Sequence, residues 1–177
     1  RLWDGTPYEF ESWRRDHDLY SAMKDSVNWY YQRLDEEIGL PRMWQSFAKI
    51  GYGNMDLSGG IQEYWQGGSL KISPMEQVSL LHQLYEGDLG FSPETVQTVR
   101  DAILLEQGDG VKLSGKTGTL DYGEYLEGCF VGCVETPENS WYFAISVRGD
   151  DATGSEAAKI ALSILEEKGI YESTLTL

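Results

Sequence analysis

Cysteine, histidine and positive charge are all scarce in this chain of 177 residues. Its two cysteines, Cys129 and Cys133, stand four positions apart in a run of strand character, about 13 Å at the usual rise per residue. A disulfide needs Cα atoms within about 7 Å, so these two do not bond to each other and read as buried free thiols. His17 and His82 are isolated from each other and from the cysteines. No His/Cys cluster has ligand spacing, which argues against a metal site. Basic residues number 14 against 29 acidic ones, leaving a formal charge of −15. Nucleic acid needs a basic face to meet its phosphates, so it is excluded as a partner. No apolar run approaches the ~20 residues of a membrane-spanning helix. Gly59-Gly60 and Gly67-Gly68 lack a following Lys-Ser/Thr, so neither is a phosphate-cradling loop.

What is present points to one globular domain over residues 1–177. Hydrophobic residues make up 41% and aromatics 12% of the chain, enough for a core and too much for disorder. From Tyr20 to Ile38, apolar positions at Met23, Val27, Tyr30, Tyr31, Leu34 and Ile38 keep helical spacing, and Gly39 stops the run. Pro41 opens a second helix that sets Met43, Trp44, Phe47 and Ile50 on one face. Glycines at 53, 59, 60, 67 and 68 exclude regular helix from Tyr52 to Gly68. Ser73-Pro74-Met75-Glu76 is a capping box that begins a helix ending near Gly87. Ser92-Pro93-Glu94-Thr95 begins the next, with Val96, Val99, Ile103 and Leu104 inward.

The period then changes. Residues 111–119, 128–135 and 141–148 are short runs rich in β-branched and aromatic side chains, separated by turn formers such as Pro137-Glu138-Asn139-Ser140. They predict an antiparallel meander. Ser155 opens a closing helix through Ile160, Ile164 and Leu165 to Gly169. Helices first, then hairpins and a last helix, make an α+β layer structure.

One triplet carries chemistry. In Lys116-Thr117-Gly118-Thr119, a cation and a hydroxyl are followed by a residue with no side chain. Lys116 and Thr117 suit an anionic ligand, and Gly118 lets it lie against a strand edge. Lys-Thr-Gly is also one of three signatures of penicillin-reactive serine proteins. Ser26-Val27-Asn28 and Tyr52-Gly53-Asn54 precede it in the order found in that family. Trp3-Asp4-Gly5, the run from Gly59-Gly60-Ile61 to Trp65, and Leu70-Lys71-Ile72-Ser73 add a finer likeness. The chain, from Trp3 to about Tyr171, resembles class D β-lactamases and the extracellular sensor domains of β-lactam sensor-transducers.

The resemblance implies a β-lactamase/transpeptidase-like α+β fold, an antiparallel sheet beside a helical subdomain. It implies β-lactam antibiotics as ligands and roles for named residues. Ser26 relays protons between a nucleophilic serine and the β-lactam nitrogen, and Lys116 faces that relay and the substrate carboxylate. Thr117 binds the carboxylate, beside Gly118. Thr119 offers a backbone N–H to the oxyanion hole and its carbonyl to the ligand amide. Trp65 packs beside a carboxylated lysine, the general base of class D enzymes. That lysine is not located in this chain, and no separate cofactor or metal is implied.

The family's nucleophile is a serine in Ser-x-x-Lys, upstream of the relay serine on another helix. Ser21-Ala22-Met23-Lys24 and Ser46-Phe47-Ala48-Lys49 fit the pattern and read as decoys. On one helix, Ser21 and Ser26 would be rotated about 140° apart, and Ser46 follows Ser26 against the family order. The expectation is a domain incomplete at its N-terminus, with the nucleophile and the family's first strands on a segment before Arg1. That segment is then a partner, and membrane attachment lies outside this chain. Asn28 replaces an apolar residue common in class D hydrolases, and its amide can compete for the lysine. Residues 154–160 lack the arginine many of those hydrolases place there, although Arg148 is nearby. Both departures favour a sensor, on the outer face of a bacterial membrane, over a secreted hydrolase. A non-catalytic interaction domain of the same fold is the reading from another class. Asp121, Glu124 and Glu127 read as a solvated acidic loop.

Overall fold

A continuous antiparallel ladder organises the second half of the chain. The computed structural model describes residues 1–87 and 89–172. Among them, β1 (Leu104–Gly108), β2 (Val111–Asp121), β3 (Leu126–Glu135) and β4 (Ser140–Gly149) form one sheet in the order β1-β2-β3-β4. β2 and β3 pair without slippage from Lys112↔Glu135 to Asp121↔Leu126, and β3 and β4 pair from Leu126↔Gly149 to Glu135↔Ser140. This is the expected meander with one strand more. Leu104 was expected on a helix; that helix ends at Ala102, and Leu104 starts β1 with 39% of its surface exposed. Its segment, Leu-Leu-Glu-Gln-Gly, has no β-branched or aromatic residue to advertise a strand. β2 supplies the pairing instead.

The helices are α1 (Leu19–Lys24), α2 (Asn28–Ile38), α3 (Leu40–Ile50), α4 (Pro74–Glu86), α5 (Pro93–Ala102) and α6 (Gly154–Glu167). Two begin where capping chemistry predicts. Ser73 and Glu76 complete a reciprocal capping box at α4, and the Ser92 hydroxyl accepts the Thr95 N–H at α5. The expected helix across Tyr20–Ile38 is broken in two. Ser26 lies in the break with φ at 52°, a left-handed conformation that an L-residue adopts only when its surroundings hold it. Val27, fully buried, anchors the turn by donating to the Ala22 carbonyl. The Trp13 indole N–H donates to the Asp25 carbonyl at 2.9 Å on its other side.

α6 packs across the sheet. Its inward residues are Ala157, Ala158, Ala161 and Leu165, whereas the larger Ile160 and Ile164 are exposed. Small side chains bring the helix close to Phe130 of β3, with Phe143, Ile145 and Val147 around it. Leu113 of β2, Val134 of β3 and Leu165 form a neighbouring cluster. On α3, Met43 is buried but Trp44, expected on the same face, is half exposed at 51%. In both helices, residue size was a poor guide to which side is buried.

Tyr52-Gly53-Asn54 proves to be a structural clamp. The Asn54 side chain donates to the Ser69 carbonyl and accepts from the Lys71 N–H, both at 2.9 Å, while the Asn54 N–H donates to the Lys71 carbonyl. These bonds close the irregular segment 52–72 on itself. Gly53 has φ at 48°, and a Cβ there would drive into the Lys71 carbonyl. The clamp fixes the loop that carries Trp65.

Candidate functional site: a serine–lysine pair at an open strand edge

β1 pairs with β2 only as far as Ser114. From Lys116 onward, the side of β2 away from β3 has no strand neighbour among the described residues. That edge borders a cavity of 780 Å³, walled by Ser26, Asn28, Trp65 and the stretch Lys116–Asp121. Six of the seven predicted site residues come from two places, the α1–α2 break and β2. The seventh, Trp65, comes from the clamped loop, and all seven line this one cavity.

The break at Ser26 has a purpose in this geometry. It turns the hydroxyl off the helix toward β2, where Lys116 Nζ donates to Ser26 Oγ at 2.6 Å. The same Nζ donates to the Thr117 carbonyl at 2.7 Å. Burial lowers the Lys116 pKa below that of free lysine; with no carboxylate beside it, nothing opposes the desolvation. A partly desolvated ammonium, held against a hydroxyl, can both attract an anion and exchange a proton with that hydroxyl.

Gly118 and Gly154 are glycines for different reasons. A Cβ on Gly154 would lie 2.7 Å from the Gly118 carbonyl oxygen and 2.9 Å from its nitrogen, so Gly154 lets α6 dock against β2. The Gly154 N–H also donates to Thr119 Oγ1 at 3.0 Å. A Cβ on Gly118 would meet nothing. The fold does not require glycine at 118; the empty space lies where a ligand would approach the strand edge.

Other expectations are refined. Asn28 donates through Nδ2 to Gln66 Oε1 at 2.9 Å, tying α2 to the loop of Trp65. Trp65 Nε1 donates to Asp35 Oδ2 at 3.1 Å. Glu127, expected in a solvated loop, is buried on β3, where its carboxylate accepts from Ser146 and Arg148 at 2.6 and 3.1 Å. Arg148 is thereby committed two strands away from β2 and does not line the cavity. Cys129 and Cys133 are free, with the Cys133 thiol pushed up to about 12, chiefly by burial. Among the described residues, no group of three or more His, Cys, Asp and Glu could hold a metal.

The two Ser-x-x-Lys sequences lie elsewhere. Ser21 completes the N-terminal capping box of α1 with Asp18, its hydroxyl 2.8 Å from Asp18 Oδ1. The break at Ser26 means the two serines do not share a helix, so the rotation expected along one helix does not apply. Ser46 donates back to the Arg42 carbonyl on α3. Neither lines the cavity. Sequence reasoning missed Tyr31, Asp35, Tyr64, Gln66 and Ser155, which do. Only Asp35 left a signal: Asn28, Tyr31 and Asp35 fall at helical positions i, i+3 and i+7, placing an acid on the face of Asn28.

An α+β fold with a lysine–hydroxyl pair beside an open strand edge defines the β-lactamase/transpeptidase-like class. The chain belongs to the penicillin binding protein transpeptidase domain family, whose profile matches residues 1–166. It is 47% identical to the regulatory protein BlaR1 of Bacillus licheniformis over 97% of this chain and 29% of that protein. It is 42% identical to the probable beta-lactamase YbxI of Bacillus subtilis strain 168, over 98% of this chain and 63% of that one. The C-terminal domain of the B. licheniformis BlaR penicillin-receptor superposes with a TM-score of 0.92 at 46% identity. That match covers 97% of this chain and 70% of the receptor domain. The chain thus spans under a third of the first relative's length and under two thirds of the second's. Among the described residues no helix is long and apolar enough to cross a membrane.

Proposed function

We propose that this chain forms the ligand-binding wall of a β-lactam sensor domain, acylated on a serine carried by a segment outside these residues. The observation that carries the proposal is Lys116 Nζ against Ser26 Oγ at 2.6 Å on an unpaired strand edge. In this reading the β-lactam carboxylate meets Lys116 and Thr117, and its amide pairs with the β2 edge at Thr119. The nucleophile attacks the lactam carbonyl, and the acyl C–N bond breaks. The proton released by the attacking hydroxyl reaches the leaving nitrogen through Ser26, with Lys116 steadying the relay. Thr119 N–H lies on the oxyanion side. The long-lived acyl group is the signal that induces resistance, and the domain faces the outside of a bacterial membrane.

The similarity to YbxI supports a second reading, hydrolysis by a class D β-lactamase. Kinetics separate the two. The complete domain with a chromogenic cephalosporin is expected to release one equivalent in a burst and then stop. Continuous turnover at tens per second supports the hydrolase, and no burst at all supports a non-catalytic interaction domain.

Two substitutions test the wall. Ser26→Ala is expected to slow acylation about 100-fold, within the usual contribution of a positioned proton carrier. A normal burst rate would remove Ser26 from the relay. Gly118→Ala is expected to leave the melting temperature unchanged, since its Cβ meets open space. Acylation should nevertheless fall about 10-fold by obstruction of the ligand, roughly 1.4 kcal/mol. Unchanged acylation would show that the ligand does not reach this stretch of β2.

A further inference from the structure

Asp35 is a buried carboxylate with one oxygen in use and one to spare. It lies two turns along α2 from Asn28, about 10.5 Å at the helical rise, and lines the same cavity. Only 9% of its surface is exposed. Oδ2 accepts from the Tyr64 hydroxyl and from Trp65 Nε1, each at 3.1 Å. No described residue donates to Oδ1, yet Oδ1 is not among the side-chain atoms sealed from solvent without a partner. Its open side is the cavity.

No cation of the described residues serves this group. Lys116, the cation in the cavity wall, is turned to Ser26 and the Thr117 carbonyl. Arg33, on the same helix, pairs with Asp4 and stacks over Trp29. Tyr64 and Trp65 face Asp35 from the loop as neutral donors, and Asp35 titrates above the usual carboxylate range because burial outweighs their two hydrogen bonds. A buried carboxylate with a vacant oxygen is costly unless a positive group reaches it.

We propose that Asp35 is an ammonium subsite of the β-lactam cavity, its free Oδ1 taking one primary ammonium group. Guanidinium prefers two acceptor oxygens, and Oδ2 is already shared by two donors; an ammonium needs one. A single carboxylate oxygen does not make a metal site. The ammonium has two sources, a lysine of the segment that supplies the nucleophile, in its uncarboxylated state, or the amino group of an amino-substituted β-lactam. The identity of these sources rests on the function proposed above; the subsite rests on the geometry of Asp35.

The test uses the parent protein with its complete domain, wild type and Asp35→Asn, with benzylpenicillin and ampicillin as matched probes that differ by one amino group. The asparagine keeps the shape and, through its amide oxygen, an acceptor for Tyr64 and Trp65; it removes the charge and puts an NH2 donor in place of the free oxygen. The first readout is the Asp35 carboxyl titration by 13C NMR. It should return to or below the ordinary aspartate range, in the free protein if lysine is the occupant, or only with ampicillin bound if the ligand is. The second is the pH profile of acylation. A lysine held by Asp35 retains its proton to higher pH, so Asp35→Asn should move the acidic limb down by about one pH unit for both penicillins. A ligand ammonium instead predicts loss of an about 10-fold preference for ampicillin, the size of one charge-assisted contact. A carboxyl that stays above the ordinary range in every state, with the variant's profile and preference unchanged, overturns the subsite. A wild type that neither penicillin acylates overturns the proposed function, and the carboxyl titration then decides the subsite alone.

Discussion

Lys116→Met in the complete domain should lower the second-order rate of acylation by benzylpenicillin about 1000-fold, within the range known for groups that assist proton transfer. Methionine matches the length of the lysine side chain but has neither charge nor donor. The substitution therefore removes the contact to Ser26 Oγ, the contact to the Thr117 carbonyl and the field that attracts a carboxylate. Stability should change little, because a buried cation without a counter-charge contributes no ion pair to lose. The pH profile gives a second check. Burial lowers the Lys116 pKa, so its charge is lost at lower pH than that of free lysine, and wild-type acylation should decline there. In Lys116→Met this alkaline decline should be gone. A variant within 10-fold of wild type would show that β2 is not the wall that holds the ligand.

Phe130→Ala should destabilise the domain by about 3–5 kcal/mol, the usual cost of removing a buried phenylalanine. The side chain is fully buried between the sheet and Ala157, Ala158 and Ala161 of α6. These alanines cannot swing in to fill the space, and Phe143 already touches the ring at 5.2 Å between centroids. Against a typical stability of about 5–15 kcal/mol, the loss should appear as a large fall in denaturant midpoint with little change in slope. Phe130 is also paired across the ladder with Thr117. A loosened β3 should slow acylation even where the variant remains folded. A loss under about 1 kcal/mol would mean that α6 closes onto the sheet without the ring.

The capping sequences Ser73–Glu76 and Ser92–Thr95 placed the starts of α4 and α5, because a cap is a local bond between a side chain and an amide a few residues away. The hairpins were legible for the same reason. β1 was not, since Leu104–Gly108 has no intrinsic preference for extended backbone and is a strand only because β2 offers it hydrogen bonds. The continuous helix expected across Ser26 failed at the α1–α2 break. Apolar spacing carries on through Met23 and Val27, but Val27 is drawn into a cluster with Ala22 and Trp29. The chain turns out at Ser26 to allow it. Likewise, alanines take the inner face of α6 over Phe130, where close approach to β3 leaves room only for small side chains, and Leu165 packs further along against Leu113 and Val134.

The sequence by itself determined the kit of the site: a lysine, two threonines and a glycine in one strand, a serine and an asparagine two positions apart, and a tryptophan in a glycine-rich loop. It determined this through order and spacing, which survive without coordinates. The tertiary structure decided three things that spacing cannot express. It put Ser26 in a left-handed break that aims its hydroxyl at Lys116, 90 residues away. It showed Tyr52-Gly53-Asn54 to be a loop clamp and Glu127 to be a buried partner of Arg148. It exposed Asp35 as a carboxylate with an unfilled oxygen in the same cavity. Each depends on which distant backbone and side chains share a space, and long-range packing sets that where local preference is silent.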